Sequence, residues 1–279
     1  MTAPVARPAR PSIAELREVT QPPSVRGRRT AEHWTGDLYM RQISPYLTRV
    51  LVRAGLSANT VTALMIVTGC ASGFALLVPG LVGAGLCVLL TQLQMLWDAS
   101  DGEVARWRGT SSPLGVFLDK VGHYATESLI PLGLGVRAAG GVEELADGDG
   151  YGWTTLGAVL AVVIILNKAL NDMVHVARAH AGLARAADDE ATTAPRASGL
   201  ASLRRLARFV PFHRLYHSIE LSLIILVAAV VDVWLGDLTG TRALLIVLVP
   251  AALLAVAGHF LAIVTSSRLR PAPAVTAGR

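Results

Sequence analysis

Six stretches of this 279-residue chain are apolar over lengths that match a lipid bilayer: about 60–79, 81–98, 114–137, 153–174, 219–235 and 243–265. A helix needs ~20 apolar residues to cross the hydrocarbon core. In lipid each backbone N–H and C=O must find its partner within the spanning segment, so runs of this kind fold as helices. Composition agrees, with 52% hydrophobic and 16% charged residues, against ~25% charge in soluble domains. The expected fold is therefore an all-α integral membrane protein. It has six transmembrane helices, preceded by a juxtamembrane amphipathic helix lying on the bilayer surface.

Residues 1–35 are rich in arginine, with proline at the start, and lack an early apolar core, so a disordered cytoplasmic tail is expected rather than a signal peptide. Within 36–56, Ser44 suits an N-cap, Pro45 the first helical position and Gly55 the stop. Ile43, Tyr46, Leu47, Val50, Leu51 and Ala54 fall on one helical stripe, as a surface helix requires. The membrane domain is then 57–266, with an insert at about 175–218, and a second tail follows at 267–279. Within the insert, Leu200, Leu203, Leu206 and Val210 beside Arg204, Arg205 and Arg208 suggest a second basic surface helix, ended near Pro211. The net charge of +5 does not indicate nucleic acid, because aromatics are only 5% and the arginines flank the apolar runs; membrane lipids are the expected partner. Arginine is concentrated in the N-terminal segment, between spans two and three, in the 175–218 insert and at the C-terminus, which places both termini in the cytoplasm. Cys70 and Cys87 both lie in apolar runs, without disulfide or metal-ligand character.

Ionisable residues concentrate in WDASDGEVARWRGTSSPLGVFLDKVGH, residues 97–123. On a helix, Asp98, Asp101, Gly102 and Ala105 share one face, and so do Gly115, Asp119 and His123 on the next. With a short link the two helices are antiparallel, so three carboxylates and an imidazole converge. Gly102, Ala105 and Gly115 keep that face low enough for a ligand. Converging carboxylates near a bilayer are tolerated around a cation or a wet cavity. Oxygen-rich sites suit Mg²⁺ or Mn²⁺, one or two ions of which can clamp a diphosphate.

These residues resemble the signature of the CDP-alcohol phosphatidyltransferases, Asp-x2-Asp-Gly-x2-Ala-Arg-x8-Gly-x3-Asp-x3-Asp. Asp98, Asp101, Gly102, Ala105, Arg106, Gly115 and Asp119 match it at every spacing. LSANTVT at 56–62, with Asn59 and Thr62, is similar to the start of the family's first span. The resemblance implies transfer of a phosphoryl-alcohol group, often phosphatidyl from CDP-diacylglycerol, to an acceptor hydroxyl with release of CMP, as in phospholipid biosynthesis. It implies Asp98, Asp101 and Asp119 as metal ligands. Gly102, Ala105, Arg106, Gly115, Asn59 and Thr62 are implied at the nucleotide site. It further implies a homodimer. The scarcity of lysine suggests a bacterial genome, hence the inner membrane.

The last signature position departs from the family: His123 stands where the fourth aspartate belongs. Three readings follow. His123 is the general base, in a reorganised metal site. Glu127, one turn on, supplies the missing carboxylate. Or the protein is a catalytically silent nucleotide-binding module. For the acceptor, Lys168, Asn171, Asp172, His175 and Arg178 fall close to one face of the fourth span, and His213, His217 and Glu220 on a face at the start of the fifth, polar stripes that suit a cavity wall. An anionic acceptor would suit Arg214, Lys168 and the arginine-rich helix. His259 and Asp232 are expected in helix packing.

Overall fold

The structure, a computed structural model, describes residues 7–22, 39–148, 150–184, 214–266 and 269. The described elements are helical: α1 (Ile13–Thr20), α2 (Arg41–Arg53), α3 (Ala58–Ala75), α4 (Gly80–Arg108), α5 (Pro113–Ala139), α6 (Val142–Ala146), α7 (Tyr151–His180), a 3-10 turn (Arg214–Tyr216), α8 (Ser218–Leu235) and α9 (Thr239–Thr265). The second basic helix expected at 200–210, and His213, lie outside the described residues.

Five helices, α3, α4, α7, α8 and α9, are long and apolar enough to cross a membrane. The third expected span forms a single helix, α5, of 27 residues. Asp119, Lys120, Glu127 and Arg137 make it less apolar than the others. Among the described residues there are thus, by length and composition, five candidate spans where six are expected.

The long helices close a ring. α4 packs on α3, α3 on α5, α5 on α7, α7 on α9, α9 on α8, and α8 back on α4. Leu76, Ile130, Leu134, Leu160, Ile225 and Leu245 fill its interior, while Val67, Val82, Leu89, Val162 and Leu254 point outward, where a membrane solvates them. α3 fits between α4 and α5 because Gly69 has no side chain: a Cβ there would lie 2.1 Å from Thr126 Oγ1 and 3.1 Å from Gln94 Cδ. At the end away from the signature, Arg137 is buried and donates to the Gly80 carbonyl at 2.9 Å. Asp232 accepts from the Thr241 backbone N–H at 2.9 Å and ties α8 to α9. His259 joins α9 to α7 through Asn167, 2.8 Å away. Both residues pack helices, as expected.

Two expectations for the N-terminal region change. The expected disordered tail contains α1. Ser12 accepts from the Glu15 N–H at 3.2 Å and Glu15 reaches back to the Ser12 N–H at 2.7 Å. This capping box holds the Glu15 carboxyl below its usual range. Leu16 is fully buried among Leu51, Val52, Val61, Val104 and Trp107, a burial that contributes about 1.5–3 kcal/mol. The helix expected to start at Ser44, in turn, begins at Arg41, so that Pro45 lies inside it. Proline has no N–H for the carbonyl four residues back. Gln21 repairs the gap, its side-chain amide donating to the Arg41 carbonyl at 2.8 Å. The apolar stripe of α2 also divides. Ile43, Tyr46 and Val50 face outward, whereas Leu51 packs inward beside the buried Ser44 and Thr48.

Candidate active site

The signature lies at one end of α4 for a geometric reason. At 1.5 Å per residue, Asp98 stands about 27 Å along the axis from Gly80, near the limit of the ~30 Å hydrocarbon core. α4 continues to Arg108, where Gly109, at φ +64°, terminates it. Ser112 then starts α5 by accepting from the Gly115 N–H at 3.1 Å. The link Gly109–Ser112 is so short that α4 and α5 must run antiparallel, with their signature faces opposed.

Across that cleft, His123 Nε2 lies 3.1 Å from Asp98 Oδ1 and 3.4 Å from Asp119 Oδ1. All three side chains are partly accessible, and one ligand atom from each falls within 4.8 Å of the others. Two carboxylate oxygens and an imidazole nitrogen suit a divalent cation: Mg²⁺ takes the oxygens, and Mn²⁺ accommodates the nitrogen as well. Asp101 lies further from solvent, and its Oδ2 accepts from Thr62 Oγ1 at 2.6 Å.

The start of α3 sits between the two signature helices. Thr62 reaches Asp101 on α4, and Asn59 Oδ1 lies 3.3 Å from the point where a Cβ on Gly115 of α5 would be. The absent side chain at Gly115 therefore admits Asn59. Gly102 plays the same part for Arg106, whose Nη1 and Nη2 lie 3.0 and 3.3 Å from the Gly102 Cβ position. Ala105, half-buried, lies on the same helix. Asp98, Asp101, Asp119, His123, Gly102, Arg106, Gly115, Asn59 and Thr62 thus gather at one end of the α3–α4–α5 group.

Glu127 is engaged elsewhere. Its buried carboxylate accepts from Lys168 Nζ at 2.6 Å, and His217 Nδ1 lies 3.3 Å away. A buried carboxylate compensated in this way has a partner already, which argues against its serving as the missing signature carboxylate. The expected acceptor wall divides accordingly. Lys168 and His217 turn toward Glu127, whereas Asp172 accepts from Lys120 Nζ at 2.8 Å and Tyr124 Oη at 2.9 Å. Arg178 donates to the Ala184 carbonyl at 2.8 Å. Among the described residues His175 Nδ1 is buried without a hydrogen-bond partner, Asn171 is exposed and Glu220 buried. Below Asp98, Gln94 bridges helices, donating to Thr126 and accepting from Ser218, both at 3.3 Å.

Sequence reasoning missed Gln94 and Glu103. Gln94 stands one turn before Asp98 on the same face, and an uncharged polar residue in an apolar run was the available signal. Glu103 is fully buried although it lies inside the signature, about 200° around the helix from Asp101.

The profile of the CDP-alcohol phosphatidyltransferase family matches residues 56–266, a span that begins just before α3 and ends just after α9. No curated protein shows significant similarity to the chain. With the family profile covering most of the chain and the signature gathered in one cleft, this protein belongs to the CDP-alcohol phosphatidyltransferase family, the membrane transferases of substituted phosphate groups.

Proposed function

We propose that the protein transfers the phosphatidyl group of CDP-diacylglycerol to the hydroxyl of an alcohol acceptor and releases CMP. The observation that carries this reading is the convergence of Asp98 with Asp119 and His123, from two helices, to within 4.8 Å. In the transfer, the acceptor oxygen bonds to the phosphorus that bears the diacylglycerol. The bond from that phosphorus to the bridging oxygen breaks, CMP takes the electron pair, and a base takes the acceptor's proton.

Asp98, Asp119 and, one turn away, Asp101 would hold Mg²⁺ or Mn²⁺, which when bound supplies charge neutralisation of the diphosphate and of the departing CMP. The remaining work belongs to side chains. Thr62, by donating to Asp101, fixes one carboxylate and leaves its second oxygen to the site. Gly102, Ala105 and Gly115 leave room for the nucleotide, with Asn59 and Arg106 beside them. His123 occupies the position of the family's fourth aspartate, and its imidazole, when neutral, can accept the acceptor's proton. Lys168, held beside Glu127 at 2.6 Å, is a cation of the wall expected to receive an anionic acceptor.

We read α5 as the sixth span. Its ionisable groups have partners in the bundle: Asp119 and His123 face Asp98, Lys120 meets Asp172, Glu127 meets Lys168, and Arg137 caps a carbonyl. Charges paired in this way are tolerated in membranes. The arginine distribution places the signature at the cytoplasmic face of a bacterial inner membrane, with both termini inside, and the family resemblance supports a homodimer. The departure at His123 also supports a second reading, a nucleotide-binding module without turnover. Incubating purified protein with radiolabelled CDP-diacylglycerol and a panel of alcohols, including inositol phosphate and glycerol phosphate, separates the two. A new lipid product with one acceptor supports the transferase. CMP binding without product from any acceptor supports the silent module.

A further inference from the structure

Glu103 is fully buried, and its carboxylate gathers three neutral donors from two other segments. Ser44 Oγ donates to Oε1 at 2.7 Å, Thr48 Oγ1 to Oε2 at 2.7 Å, and Gln21 Nε2 to Oε1 at 2.8 Å. The Gln21 amide has two protons and uses both. One goes to Glu103 and the other to the Arg41 carbonyl that Pro45 leaves without its helical partner. Three segments, α1, α2 and α4, are joined at this point.

The junction touches the signature by a second route. Thr20, the residue before Gln21, is also buried, and its carbonyl accepts from Arg106 Nε at 2.6 Å. Glu103 and Arg106, one turn apart on α4, therefore hold two consecutive residues of the N-terminal segment. That hold fixes the plane of the Arg106 guanidinium over Gly102, where its Nη1 lies 3.0 Å from the missing Cβ position. Further contacts seat the segment. Leu16 is buried against Val104 and Trp107. Arg7 donates to the Arg106 and Trp107 carbonyls and stacks 5.5 Å from the Trp107 ring, placing a cation at the C-terminal end of the α4 dipole.

We propose that Glu103 is a positioning residue: it clamps α1 and α2 to the outer face of α4, and through Thr20 the clamp sets Arg106 over Gly102 at the nucleotide side of the cleft. The carboxylate touches no reacting atom, and its effect is on the affinity for the cytidine nucleotide. This inference rests on the proposed function for the identity of the nucleotide, while the clamp itself rests on the contacts above.

The test uses full-length protein, with calorimetric CMP binding in Mn²⁺ and trypsin cleavage after Arg17 as a separate report of α1 docking. Glu103→Ala is expected to speed cleavage and weaken CMP binding about tenfold, within the usual range of coupling between sites. Turnover at saturating CDP-alcohol should stay within about threefold, because the groups that act on the reacting atoms are untouched. Glu103→Gln is expected to behave like the native protein, since the Thr48 hydroxyl can turn from donor to acceptor. Leu16→Asp undocks α1 without altering a long helix, so it decides the matter even where Glu103→Ala does not fold. It should reproduce the loss of CMP affinity, and the double variant should bind no more weakly than either single one. Fast cleavage with native CMP affinity, additive losses in the double variant, or a fall in turnover at unchanged affinity would each overturn the clamp. A native protein that binds no CMP contradicts the proposed reaction instead, whatever the cleavage pattern.

Discussion

Asp98, Asp119 and His123 meet across a cleft between two helices, with His123 Nε2 at 3.1 and 3.4 Å from the carboxylates. In the proposed reaction each carboxylate faces a divalent cation. Asp98→Asn and Asp119→Asn are therefore expected to lower turnover by orders of magnitude each, and a chelator should abolish activity in the native protein until Mg²⁺ or Mn²⁺ is returned. Undiminished turnover in excess chelator would remove the cation from the account. His123 differs in kind. As the base, its replacement by alanine should cost about a hundredfold or more in turnover while CDP-diacylglycerol binding persists. His123→Asp, which restores the family pattern, should stay active. Native turnover in His123→Ala would take the base assignment away from this residue. The spacing of Asp98 with Asp101, and of Asp119 with His123, was legible in sequence because helical periodicity fixes which residues share a face. The pairs Thr62–Asp101 and Lys168–Glu127 were not, because their meeting depends on how far one helix slides along another.

At the scale of elements, α3 is the spacer that sets the cleft. Gly69 lets Thr126 and Gln94 close on it. Gly69→Ala would place a methyl 2.1 Å from Thr126 Oγ1 and is expected to destabilise the bundle by about 1–3 kcal/mol, seen as a lower thermal midpoint in detergent. Thr126→Ala should recover much of that loss by removing the clashing oxygen. A Gly69→Ala protein with native stability would mean that the three helices do not pack this tightly. Most long helices were visible as apolar runs with glycine and serine punctuation. α1 was not, because eight residues with one fully buried leucine give no periodic signal, and its stability comes from packing on distant residues. The start of α2 was misplaced for a related reason: Pro45 reads as a first-turn residue until Gln21 is seen to satisfy the carbonyl behind it.

At the scale of the whole molecule, a ring of long helices presents apolar side chains outward and gathers the ionisable groups of the signature at one end. The five apolar helices were legible from composition. The standing of α5 was harder to read, because its charges are acceptable in a membrane only once their partners are known. In the proposed orientation the α5–α7 connection is outside and the end of α7 inside. On a background lacking Cys70 and Cys87, Asp147→Cys should react with an impermeant thiol reagent in intact cells. Ala181→Cys should react only after the membrane is opened, and the reverse pattern would put the signature on the face without nucleotide substrates. The central claim is tested most directly by following CMP release from CDP-diacylglycerol by the purified native protein beside Asp119→Asn. The account predicts release that needs both an alcohol acceptor and a divalent cation, with almost none from Asp119→Asn. Equal release by the two proteins, or release indifferent to the cation, would contradict it.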